Sequence, residues 1–168
     1  MSATIDPILA EFREEAATTK RVLDRVPEQK LAWKPHAKSM SLGQLAWHVA
    51  VIPGNISRLL QKDSLDVTQA NFVPPQPESL AEIINAYEQS VRDAEQNLGS
   101  MTDQQAKADW HLMHRDQVLS TMPRIGFLRS VMLNHWYHHR GQLSVYLRLL
   151  EVPLPVIYGP SADESPFA

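Results

Sequence analysis

The stretch Asn134-His135-Trp136-Tyr137-His138-His139-Arg140-Gly141-Gln142 lies inside the longest periodic segment of the chain, Arg124 to Leu150. Wound as one α-helix with His135 at zero, the segment places Leu128 and Tyr146 at about +20° and His139 at about +40°. Met132 and Leu150 fall at about +60°, and Ile125 and Leu143 close the apolar arc at about +80°. Arg129, Arg140, Ser144, Arg148 and Glu151 take the opposite side. The reading therefore puts His135 and His139 one turn apart in the middle of the face that should be buried. A buried imidazole needs a polar partner, because desolvating it alone is costly. An i, i+4 histidine pair can meet that need by closing on one metal ion. The competing reading is a pair of core histidines bonded to carbonyls or to each other. His138 points about 60° to the other side and belongs at the edge of the face.

Outward from this segment, the rest of the chain reads as three more amphipathic helices. Asp6 caps the first, with Pro7 at its first helical position, and Ile8, Leu9, Phe12, Ala16, Thr19, Leu23 and Val26 recur at helical spacing. Ser41-Leu42-Gly43-Gln44 reads as a capping box for the second helix, whose apolar face carries Leu45, Ile52, Ile56 and Leu59. His48 lies at the edge of that face, and Pro53 should bend the helix just beyond it. Alone, His48 is an ordinary core histidine; as a third ligand from a facing helix it acquires meaning, since bundles supply ligands in that way. Ser79-Leu80-Ala81-Glu82 reads as another capping box, opening a third helix that runs to Gly99.

The connection Ser64 to Pro77 is long enough for the chain to run back along the bundle, so helices two and three can be parallel neighbours. Between helices three and four, Trp110, Leu112, Val118 and Ser120 admit a short strand pair around His114-Arg115-Asp116-Gln117. The economical architecture is all-α, a four-helix bundle with long crossover loops, in a single domain over residues 1–168.

Composition narrows the chemistry. The net charge is −3 and no Lys/Arg-rich run occurs, so neither nucleic acid nor an acidic membrane is suggested as a partner. No apolar run reaches the length of a membrane span and the N-terminus is not signal-like, so a soluble, cytoplasmic protein is expected. The chain has no cysteine. Disulfides, cysteine–zinc sites and a cysteine nucleophile are excluded together, leaving histidine and carboxylate as ligands. Three histidines leave coordination positions open, the mark of a catalytic ion, and zinc, nickel, iron, cobalt and manganese all accept imidazole nitrogen.

Gln142, Asn134 and Tyr146 are candidates to orient the ligands, and Asp163 and Glu164 could reach the site mouth and fix an imidazole tautomer. Each has a plainer reading as a packing, capping or solvated residue. His36, His111 and His114 sit in polar connections and should be exposed; Trp33, Trp47, Trp110 and Trp136 read as packing. There is no His-Glu-x-x-His, Gly-x-Ser-x-Gly, P-loop or dinucleotide fingerprint.

Three stretches together resemble the DinB-like (damage-inducible) family: Leu45-Ala46-Trp47-His48, His135 through Leu143, and Tyr158-Gly159-Pro160-Ser161-Ala162-Asp163-Glu164. The similarity runs from about Ile5 to Glu164, and the histidine block with its Arg-Gly-Gln continuation is its specific part. The resemblance implies a four-helix bundle in up-down-down-up order and a divalent metal held by His48, His135 and His139. It also implies frequent homodimers. Relatives include transferases and isomerases that use a low-molecular-weight thiol such as mycothiol or bacillithiol. The expectation is thus a metal-dependent enzyme acting on a small-molecule substrate, a thiol transferase or hydrolase. The alternative is a non-catalytic, stress-induced metal-binding or protein-interaction module.

Overall fold

The computed structural model describes residues 2–167. Helix α1 spans Asp6–Leu23, α2 Leu42–Leu59 and α3 Leu80–Gly99. The capping box of α2 forms in full: Ser41 Oγ accepts the Gln44 N–H at 3.1 Å and Gln44 Oε1 accepts the Ser41 N–H at 3.0 Å. At α3 only half of the expected box forms. Ser79 Oγ accepts the Glu82 N–H, but the Glu82 carboxylate takes the N–H of Glu78 instead. Asp6 does not cap α1 either. Ile5 holds that position, and Asp6, already helical, accepts the Ser2 N–H at 3.0 Å.

The fourth helical run is not one uniform helix. It comprises α5 at Arg124–Phe127, a π-helical turn at Leu128–Asn134 and α6 at His135–Leu149. A π turn advances the chain through a smaller angle per residue, so a straight projection across it loses phase. The buried residues of α6 are Trp136, Arg140, Leu143 and Leu147. His135 and His139 therefore flank the buried face, half-buried, rather than occupying its middle. Arg140, expected on the polar side, is 1 % exposed. It is tolerated there because its guanidinium meets the Glu15 carboxylate at 2.6 Å, the Thr19 hydroxyl at 3.1 Å and the Tyr158 hydroxyl.

Side-chain pairs give the run directions. Gly54 with Ser90, Arg58 with Asp93 and Gln61 with Asn97 advance together, so α2 and α3 are parallel neighbours, as the long connection allows. Arg13 with Glu95 and Ala16 with Tyr87 oppose α1 to α3. Val49 with Trp136 and Met40 with Tyr146 oppose α2 to the fourth run. The α2–α3 contact is close: a Cβ on Gly54 would stand 2.9 Å from Ser90 Cα. One continuous core joins the helices, with Phe12, Leu45, Val49, Ile83, Leu98, and Trp136 fully buried.

The all-α expectation holds only in its coarser form, a mostly helical chain. A three-stranded sheet stands beside the helices, in order β1-β2-β3, where β1 is Ser64–Asp66, β2 Asp109–His114 and β3 Gln117–Pro123. The expected hairpin is the antiparallel β2–β3 pair, turning at Arg115 with φ 55°. Strand β1, read as unstructured connection, adds in parallel to β2, with Leu65 opposite Leu112. A short helix α4, Asp103–Lys107, precedes the hairpin. Arg124 fastens the sheet to the helices, donating to the backbone carbonyls of Leu60, Lys62 and Asp109 and to the Asp63 carboxylate. Among the described residues, no helix is long and apolar enough to cross a membrane.

Candidate metal centre

Helices α2 and α6 bring His48, His135 and His139 together. One ring nitrogen from each lies within 4.8 Å of the others, with all three side chains half-buried. Nε2 of His135 is 2.7 Å from Nε2 of His139 and 3.4 Å from Nε2 of His48. Pairing of the helices sets this convergence. Pro53 has no N–H, so the Val49 carbonyl four residues back lacks its usual helical donor. Trp136 Nε1–H fills that vacancy at 2.8 Å. The bond locks α6 to α2 one residue from both His135 and His48.

Tautomers follow from what surrounds each ring. Nδ1 of His139 lies 2.8 Å from Gln142 Oε1, a pure acceptor, so the proton is on Nδ1 and Nε2 is bare. Nδ1 of His135 is buried and has no hydrogen-bond partner among the described residues. The bare Nε2 of His139 faces Nε2 of His135 at 2.7 Å, a spacing at which the two rings share a proton or a cation.

A positive charge carried by an extra proton is disfavoured here. Burial, and then the neighbouring His139 and His135 rings, push His48 down to about 4. Burial is also the main cause lowering His135 and His139, opposed by the Val131 carbonyl and by Gln142 respectively. The donor set thus fits a divalent ion. Ligand nitrogens around a tetrahedral zinc stand about 3.3 Å apart. The His48–His135 separation lies near that edge, and the 2.7 Å pair is shorter than it.

The remaining site expectations divide. Gln142 orients His139 as anticipated. His138 stands 5.0 Å from the His139 ring, exposed at the edge. Asn134 is exposed, and the Tyr146 hydroxyl turns away to the Met40 carbonyl. Asp163 and Glu164 do not reach the imidazoles: Asp163 pairs with Arg148 and the Leu154 N–H, Glu164 with Arg25 and the Val156 N–H. Their carboxylates fasten the C-terminal segment instead. His36 and His114 are exposed, whereas His111 is half-buried and bonded to Thr121 Oγ1 on the sheet. Sequence reasoning missed the cavity that opens on His48 and His135. It measures about 660 Å³, and the crossover after α2, including β1, supplies part of its wall.

The model of the DinB family matches residues 1–166. The chain belongs to the DinB family. The DinB-family chain is 27 % identical over 168 residues to the uncharacterized protein YrdA of Bacillus subtilis (strain 168), covering 98 % of this chain and 93 % of that one. Its fold is similar to the crystal structure of a DinB-like protein from Bacillus cereus ATCC 10987. The TM-score is 0.72, with 24 % identity, over 89 % of this chain and 95 % of the other. A second DinB-like protein, YjoA from Bacillus subtilis, gives a TM-score of 0.70 at 17 % identity, covering 90 % and 97 %. At those identities the two structures speak for the DinB fold alone.

Proposed function

We propose that this DinB-family protein is a metal-dependent enzyme, with a divalent ion held by His48, His135 and His139. The observation that carries the reading is the convergence of His135 and His139, their Nε2 atoms 2.7 Å apart, with a third imidazole from another helix. When bound, the ion acidifies a thiol or water and presents it as a nucleophile at neutral pH. The chain's own residues do the rest. Gln142 holds His139 in the tautomer that offers Nε2. The cavity beside His48 and His135 admits a small-molecule substrate and limits the water that reaches it. With no cysteine in the chain, a thiol nucleophile has to come from a cosubstrate. Transfer of that thiol to a carbon electrophile, its S–H proton passing to solvent as the group displaced from carbon leaves with the bonding pair, and hydrolysis by water are the two reaction types the site serves.

The test is elemental analysis of protein purified without a metal-affinity tag, then thermal shift of wild type and the His48→Ala/His135→Ala/His139→Ala variant, then a screen of thiols and esters. About one equivalent of metal, a rise in melting temperature on adding zinc, nickel or manganese, and loss of both in the variant are expected. Far less than one equivalent with no thermal response would sink the metal reading. Metal binding with no turnover on any substrate would leave a metal-binding module in its place.

A further inference from the structure

The cavity has a shape and a lining that narrow what it takes. From His48, the residues Ile52, Ile56 and Leu59 follow one another along α2 and all line it. They form an apolar track of about 10 Å that ends about 16 Å from His48 at the helical rise of 1.5 Å per residue. Leu65 and Leu112 from the sheet and Val131 from the π turn form opposing walls. At the mouth, Phe72 and Val73 are each 70 % exposed. Two adjacent apolar side chains left in water at a cavity rim are surface that a bound apolar molecule would cover. Among the described residues, the charged side chains in the lining are Arg58 and Lys62, and none is a carboxylate. A volume of about 660 Å³ is in the range of small-molecule pockets.

We propose that this cavity binds a linear amphipathic molecule of medium chain length, its polar, metal-seeking head at His48 and His135 and its apolar body laid along Ile52, Ile56 and Leu59. The inference rests on the metal reading above and adds the class of substrate. A sugar-rich or highly charged molecule would leave its hydroxyls facing Ile, Leu and Val side chains without partners, which disfavours it there. A cationic body finds no acid to meet it.

The probe is a series of straight-chain hydroxamates, from acetohydroxamate through butyro- and octano- to dodecanohydroxamate. They are titrated calorimetrically into the zinc-loaded full chain. Each methylene buried in the track should raise affinity about fourfold, so octanohydroxamate should bind at least about a hundredfold more tightly than acetohydroxamate once about four of its six extra methylenes are buried. Growth should stop once the chain outruns the track. Ile56→Glu should flatten the series while zinc content and acetohydroxamate binding persist. Ile56→Trp, which only fills space, should move the plateau to a shorter chain. Failure to take up zinc, nickel or manganese overturns the metal reading before any hydroxamate is added, and this inference with it. A flat series with zinc and acetohydroxamate bound overturns this inference alone. A full chain-length trend in the metal-free triple alanine variant, with none added by zinc, overturns the placement of the head at the histidines.

Discussion

Trp136 Nε1–H donates at 2.8 Å to the carbonyl of Val49, the acceptor that Pro53 cannot serve within its own helix. The proline and the tryptophan are complementary: one creates an unpaired buried carbonyl and the other satisfies it. Trp136→Phe should therefore leave that carbonyl unpaired and cost about 1–3 kcal/mol in urea unfolding. Pro53→Ala restores a local donor, so the double variant should lose less than the sum of the singles. Strict additivity would refute the coupling. Because the bond sits beside His48 and His135, Trp136→Phe should also weaken metal affinity.

Gln142 tests the tautomer. Gln142→Ala frees the His139 Nδ1 proton and should lower metal affinity about tenfold in a chelator competition, the low end of such effects for an exposed partner. Gln142→Glu keeps an acceptor, makes His139 more basic and should match or exceed the wild type. Equal affinities in all three proteins would mean that Gln142 plays no part in the centre.

The depressed imidazoles give the metal-free protein an acid limit. His48 falls from an ordinary 6.5 to about 4 in the fold, so between these values the unfolded chain binds more protons than the native one. The native advantage is complete above pH 6.5 and is lost as the pH drops toward about 4. Lowered values at His135 and His139 act in the same direction. In chelator-treated protein the melting temperature should fall across this window, and His48→Gln should flatten the fall. Parallel pH profiles for both proteins would contradict the assignment.

Arg140 and Glu15 form a buried ion pair at 2.6 Å, with 2 % and 14 % of their side chains exposed. Removing only the cation leaves a largely desolvated carboxylate, so Arg140→Met should cost about 3–5 kcal/mol. Adding Glu15→Gln should recover part of that loss. Arg140→Lys should not rescue fully, since one ammonium cannot reproduce the fork that reaches Glu15, Thr19 and Tyr158 together. Denaturant midpoints of the four proteins check the order.

Much of the helical frame was legible because its signals are local. Ser41 and Gln44 satisfy each other's backbone within one turn, and Ser79 Oγ accepts the Glu82 N–H at the start of α3. The β2–β3 hairpin was likewise readable from alternation on either side of Arg115-Asp116. Strand β1 was not: Ser64-Leu65-Asp66 is too short to show a period, and its partner in β2 lies more than forty residues on. The π turn carries no residue-type signature, yet it set the true burial of Arg140 and moved the histidines to the flank of the core.

From its sequence alone this chain determined where α2 and α3 begin, which faces of its first three long helices are apolar, that thiol chemistry of its own is absent, and that His135 and His139 share one side of a helix. These depend on neighbours within a turn or on composition. Convergence of His48 with that pair, the orienting bond from Gln142, the buried Arg140–Glu15 pair and the apolar cavity were decided only by tertiary structure. The reason is physical: each depends on the register and rotation of one helix against another. A proline-freed carbonyl, a π turn and a strand paired across the chain set that register, and none of them acts through adjacent residues.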